Sequence, residues 1–155
     1  MINVLLKDDT DLGDYLPIAC DGDSLFHAFD NGVLLCKLVH VIDADAIDLR
    51  VIKNTKNMSI FEVNNNLKLG LAASKSLGVK LIGVAPADFV KKVPHLMLTA
   101  LWQLLRLAVA KKLSLGDCPE LYRLLKEGEE LGVFNKMKPE EILIRWVNYH
   151  LRKNG

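Results

Sequence analysis

Pro94-His95-Leu96-Met97-Leu98-Thr99-Ala100-Leu101-Trp102-Gln103-Leu104-Leu105-Arg106-Leu107-Ala108-Val109 is the run whose reading decides the fold. Proline at the first position starts a helix, because its missing N–H would be unpaired there anyway. The rest of the run is apolar almost all the way round, which places the helix in the middle of a domain. Thr99, Gln103 and Arg106 interrupt it too often for a membrane span. His95, Thr99, Gln103 and Arg106 recur at i, i+4, i+8 and i+11, so they form one polar stripe. Leu98, Leu101, Trp102 and Leu105 read as core, with Trp102 a packing anchor.

The 155 residues suffice for one domain, or one domain plus a fragment, with a substantial core. A net charge of +1 removes overall charge as a driver of binding, so an electrostatic partner must meet a local patch. The candidates are Lys91-Lys92, Lys111-Lys112 and Arg152-Lys153, and separated basic pairs are commonly plain solvated surface. Cys20, Cys36 and Cys118 are widely spaced without a C-x-x-C pair, which points away from a disulfide framework or zinc knuckle and toward reduced cytoplasm. Cys36 and His40 lie i, i+4, but Cys36 sits inside Val33-Leu34-Leu35-Cys36 and reads as a small core residue, not a metal ligand. A calcium loop beginning at Asp43 fails, since Asp48 stands where glycine is needed and Asn54 where the twelfth-position acid belongs. Met1 to Asp9 carries no secretory pattern. No cofactor and no catalytic set is implied: there is no G-x-S-x-G, no phosphate-cradling glycine loop, and His150 has no nucleophile or carboxylate at a recognisable spacing.

Along the chain, Ile2 to Lys7 reads as a short helix ending at Asp8, Asp9, Asp11 and Asp14. Asp23 or Ser24 caps a second helix containing Leu25, Phe26 and Phe29. Gly32, ahead of the dense run Val33 to Val39, permits close packing or a bend. Ile42 to Met58 favours turns with one short helix. Ser59-Ile60-Phe61-Glu62 is a capping box opening a helix that runs to about Leu77, where Gly78 ends it. Pro86 to Phe89 is a small helical turn. After the Pro94 helix, Gly116 and Pro119 break the pattern, Glu120 to Leu131 reads as a further amphipathic helix, and Gly132 to Lys138 as a linker. Pro139-Glu140-Glu141 starts a terminal helix with acids at its positive end and Arg152-Lys153 at the other. Its Val147-Asn148-x-x-Leu151-Arg152 is similar to Ile2-Asn3-x-x-Leu6-Lys7, a weak internal repeat.

Asp30 to Leu38, Phe61 to Leu67, Leu81 to Phe89 and Leu98 to Leu107 resemble, in order and spacing, the calponin-homology domain. Ile47 to Ile52 and Pro94-His95-Leu96 are most similar to the first such domain of the fimbrin/plastin family, and Lys138 to Leu151 resembles the end of its linker and the first helix of the next domain. The resemblance implies an all-α fold of about four principal helices, joined by long loops with short helices. It divides the chain into residues 1–113, a first domain with a truncated opening helix, residues 114–138, an interdomain helix and linker, and residues 139–155, the first helix of an incomplete second domain. A fragment of a longer cytoplasmic protein of the actin cytoskeleton is the expectation.

The function implied by the resemblance is binding filamentous actin, with contacts around Asn3 and Lys7, around Gln103, Arg106, Lys111 and Lys112, and on Ile142, Arg145, Tyr149 and Arg152. The alternative is a calponin-homology scaffold that binds another protein or microtubules. A nucleic-acid partner lacks the basic footprint it needs, and membrane insertion is not expected, although the basic edge is compatible with a phosphoinositide contact. In the terminal helix Leu143, Trp146, Val147, His150 and Leu151 form one face, whose own domain is missing. The helix is therefore expected either to dock on the first domain or to form a homodimer through the tryptophan face.

Overall fold

The computed structural model describes residues 1–13, 15–112, 118–134 and 136–154, with the side chains at 153 and 154 excepted. The expectations placed on Asp14, Gly116 and the side chain of Lys153 lie outside the described residues. The fold is all-α, with no strand among the described residues. The helices are α1 Ile2–Leu5, α2 Ser24–Ala28, α3 Val33–Ile42, α4 Ile60–Ser76, α5 Pro86–Val90, α6 Pro94–Lys112, α7 Leu131–Phe134 and α8 Pro139–Asn154. Four of them, α3, α4, α6 and α8, are long. The chain forms two compact units, Met1–Leu105 and Arg106–Gly155, the division falling within α6.

In the first unit the core is organised on α3, whose residues Val33 to Val39 are all buried. Two glycines let α3 and α4 approach closely. Gly32 caps α3 with a positive φ of 80°, and a Cβ there would lie 2.7 Å from the Leu67 nitrogen and 2.9 Å from the Asn66 carbonyl carbon. Gly70 faces the Leu35 side chain and the Cys36 sulfur from α4. Cys36 is fully buried and its Sγ donates to the Asn66 carbonyl at 3.2 Å. Burial pushes its thiol up to about 12, far from the thiolate that metal binding needs. His40, meanwhile, places Nδ1 3.2 Å from the Ile47 carbonyl. Among the described residues of this unit one charge enters the interior: Lys37 lies within 2.8 Å of Asp11 and 3.0 Å of Asp9. Burial lowers its pKa, but the two carboxylates outweigh that and the ammonium is held above its ordinary range.

The capping box forms as expected: Glu62 N–H donates to Ser59 Oγ and Ser59 N–H to Glu62 Oε2, and α4 ends before Gly78, at φ 85°. For α2 the capping side chain is neither Asp23 nor Ser24. Asp21 accepts from the Ser24 amide at 2.9 Å, so the cap comes from further back in the chain than the sequence pattern suggests. Ile42 to Met58 contains two 3₁₀ turns, Ala44–Ala46 and Leu49–Val51, each capped by the preceding aspartate.

Three side-chain amides hold the connectors. Asn3 donates to the Ile18 carbonyl at 3.0 Å and accepts from the Ile18 amide at 2.9 Å. Asn66, fully buried, does the same to Lys53 at 2.8 and 3.1 Å. Gln103 does it to Lys80 at 2.7 and 3.2 Å. Each amide presents one donor and one acceptor to the backbone of a single residue, the pattern a neighbouring strand would offer.

In the second unit Leu121, Leu124, Phe134 and Ile142 make a small core, with Leu125, Met137 and Tyr149 packed against it. The helix expected over Glu120 to Leu131 is replaced by a 3₁₀ turn, Pro119–Leu124, and a turn at Gly128, whose φ is 81°. The tighter turn stacks Leu121 over Leu124, so both reach the core from a short segment. α7 falls partly within the segment expected to be a linker.

Candidate functional site

The site residues expected from the sequence fall into three groups, with different environments. Asn3, in α1, turns its amide onto Ile18 and is spent on the connector, whereas Lys7, just beyond α1, is exposed.

On α6 the two faces differ from expectation. Met97, Ala100, Leu101, Leu104 and Ala108 are buried, but Leu98 is 45% and Trp102 70% exposed. Leu98 and Trp102 therefore do not belong to the core, and Trp102 is no packing anchor. The spacing explains it: Leu98, Trp102, Leu105 and Val109 at i, i+4, i+7 and i+11 form a second apolar stripe beside the buried one, and a single helix cannot sink both. The polar stripe is not uniform either. His95 and Thr99 are exposed, Gln103 is half-buried on Lys80, and Arg106 forms an ion pair with Glu140 at the start of α8. Lys111 and Lys112 lie exposed in the last turn, where cations also suit the helix dipole.

Ile142 is 5% exposed in the core of the second unit, and its spacing at i, i+3 and i+7 with Arg145 and Tyr149 puts all three on one face of α8. Arg145 grips Glu129 through both terminal guanidinium nitrogens, Nη2 to Oε1 at 2.8 Å and Nη1 to Oε2. That fork, with the Lys126 amide also donating to Glu129, brings the Glu129 carboxyl down to about 2. Glu140 is also held below its usual range, by its own backbone amide and by Arg106. Tyr149 and Arg152 follow on the same side of α8, Tyr149 half-buried and Arg152 exposed.

The opposite side of α8 is open. Leu143, Trp146, Val147 and Leu151 are all 41% to 66% exposed, with the His150 ring 4.5 Å from Trp146 between centroids, while Ile144, 61% exposed, borders the Arg145 side. The structure thus gathers Arg145, Tyr149 and Arg152 in one neighbourhood, adds Arg123 and Lys126 to it, and leaves Ile142 beneath. The sequence pattern hides Arg123 and Lys126 because the segment carrying them reads as helix; a 3₁₀ turn brings them round to α8. Among the described residues no three His, Cys, Asp or Glu side chains are grouped to hold a metal ion, and no helix is long and apolar enough to cross a membrane.

The geometry has counterparts. The family model for the calponin homology (CH) domain matches residues 10–110. Fimbrin of Dictyostelium discoideum is 40% identical over 154 residues and human Plastin-1 37%, each alignment covering 99% of this chain. Fimbrin of Saccharomyces cerevisiae is 36% identical. The chain spans about a quarter of the length of these relatives. Among solved structures, the actin-crosslinking core of Schizosaccharomyces pombe fimbrin is similar with a TM-score of 0.72 and 27% identity, over 98% of this chain and 29% of that one. With the helical order, the α3–α4 packing and the family match in agreement, the chain belongs to the calponin homology domain family.

Proposed function

We propose that this chain is a filamentous-actin-binding module of a fimbrin/plastin-like crosslinker. The observation that carries the reading is the extent of the likeness: it runs beyond residues 10–110 to α8, along 98% of the chain, in a protein whose solved core is named for crosslinking actin. The domain division proposed with it is residues 1–113, 114–138 and 139–155. The activity is binding without a chemical step, and the reading implies a place in the cytoplasmic actin cytoskeleton.

The contact residues proposed are Lys7, Arg106, Lys111, Lys112 and Arg152, all exposed, with the half-buried Arg145 and Tyr149; Arg106 is paired with Glu140 and Arg145 with Glu129. Asn3, Gln103 and Ile142 complete the proposed set, Asn3 and Gln103 being bonded to the Ile18 and Lys80 backbones and Ile142 lying in the core of the second unit. Cations meeting an acidic filament speed encounter, and their contribution falls as salt rises. Cosedimentation with filamentous actin tests this: the chain pellets at low salt, less at high salt, and less again as Lys111→Glu/Lys112→Glu. Failure to pellet with actin at low salt, or equal pelleting with microtubules, sinks the proposal.

A further inference from the structure

Arg106 and Arg145, both in the surface proposed for the filament, each hold a carboxylate of this chain, and the two pairs are built differently. Arg145 and Glu129 make a closed pair. Their side chains are 20% and 15% exposed, two nitrogens meet two oxygens, and the Lys126 amide donates to the same carboxylate. Arg106 and Glu140 make an open one. Arg106 Nη2 meets Glu140 Oε1 with the side chains 63% and 45% exposed, where water screens the attraction and an ion pair contributes little to stability. Glu140 does not depend on that pair. It stands in the first turn of α8, at the positive end of the helix dipole, and its own backbone amide does more than Arg106 to hold its carboxyl below the usual range. Arg106 can therefore leave Glu140 at small cost to α8.

We propose that Glu140 is a self-masking carboxylate: it occupies Arg106 in the free chain, and filament binding proceeds by exchange, an acidic group of the filament taking Arg106 from Glu140. The inference rests on the filament reading above and deepens it by giving the surface a built-in competitor. One contact acts at two stages. During approach, the pair presents an acidic surface with a like charge beside the cation, which weakens the steering Arg106 would otherwise provide. Once contact is made, the filament gains only the difference between two similar ion pairs. The Arg145 pair is closed to the same exchange, since parting it strands a shielded carboxylate.

Cosedimentation of the full chain over a range of filamentous-actin concentrations tests this, with a double-mutant cycle on the pair. Arg106→Gln weakens binding. Glu140→Gln tightens it by about two- to fivefold at low salt, the range an exposed ion pair supports, and the gain narrows as salt rises. In the Arg106→Gln background the same Glu140→Gln substitution changes nothing, which separates the unmasking of one cation from a general loss of negative charge. Glu140→Ala, a good helix former without a side-chain amide, repeats the gain. Far-UV circular dichroism and α8 amide exchange equal to the parent's establish that the helix is intact in each variant. Weaker or unchanged binding of Glu140→Gln beside a weakened Arg106→Gln overturns the masking and leaves the filament reading standing. A gain that persists in the Arg106→Gln background overturns it as well. If Arg106→Gln binds as the parent does, Arg106 is no filament contact and the proposal falls with that assignment, whereas a parent chain that does not pellet at all sinks the filament reading itself.

Discussion

Replacing Gly32 by alanine is the sharpest test of how α3 and α4 are held together. Two costs add. At φ 80° an L-residue occupies the left-handed region, which costs about 1–2 kcal/mol. The new methyl carbon also lands 2.7 Å from the Leu67 nitrogen and 2.9 Å from two atoms of Asn66. Two of these three atoms are main chain in the middle of a long helix, so they cannot swing aside, and overpacking of this kind costs about 1–3 kcal/mol. The sum is about 2–5 kcal/mol, a large share of the stability of an ordinary domain. Two other glycines separate the contributions. Gly78 has φ 85° but no atom within 4 Å of the place its methyl would take, so Gly78→Ala shows the backbone cost alone, about 1–2 kcal/mol. Gly70 has an ordinary helical backbone and would meet the tip of Leu35 at 2.9 Å, a side chain that can yield. Its helix-propensity gain of about 1 kcal/mol offsets part of the crowding, so Gly70→Ala is the mildest. Native-state hydrogen exchange of the α3 and α4 amides reports each loss from the first unit itself. If Gly32→Ala costs no more than Gly78→Ala, the claim that this glycine exists for close approach is wrong.

Three further outcomes concern the ion pairs and the exposed tryptophan. Lys37→Ala destabilises by about 2–4 kcal/mol because it strands the shielded Asp9 carboxylate, and Lys37→Met by less because it keeps the buried stem, as read by urea denaturation. Since the folded ammonium titrates above 10.5, its contribution is complete below that pH and disappears as pH rises beyond it, and the parent loses this increment while Lys37→Met does not. Glu129 behaves in the opposite sense: lowered from 4.5 to about 2, it stabilises the docking of α8 above pH 4.5 and that contribution fades as pH falls toward 2. Amide chemical shifts of α8 should follow this acid transition and Glu129→Gln should abolish the dependence; a pH-independent α8 in the parent contradicts the fork. Trp102→Ala lowers stability by less than about 1 kcal/mol, and Trp102 fluorescence is readily quenched by iodide; a loss like that of a buried aromatic, about 3–5 kcal/mol, contradicts the exposed placement.

The sequence made most of the helices legible because their signals are local. Ser59 and Glu62 announce α4, Gly78 ends it, and prolines mark the starts of α5, α6 and α8. Gly32 is readable as a place of close approach, though not which atoms it spares. What fails is anything requiring knowledge of the opposite surface. α6 is apolar nearly all round, and only packing reveals that Met97, Ala100, Leu101, Leu104 and Ala108 take the interior while Leu98 and Trp102 do not. The same limit governs the site. Arg145 and Tyr149 are polar enough to look outward, yet they share a face with Ile142, and the side of α8 that docks is set by Leu121, Leu124 and Phe134 in a segment whose 3₁₀ turn has no distinctive sequence mark. Gln103 and Asn3 mislead for another reason: an amide that grips a backbone and an amide that awaits a partner are spelled alike.

The three amide clamps distribute the freedom to vary unevenly. Asn3, Asn66 and Gln103 recognise peptide groups, which every residue carries, so the side chains at Ile18, Lys53 and Lys80 can change to suit the surface without loosening the connector. Proline is the exception, since it brings no N–H to the amide oxygen. The amides themselves have no such latitude. Deamidation of any one converts its donor into a second acceptor facing a carbonyl, so chemical ageing at these three side chains would release a connector with no alteration of the residue it held.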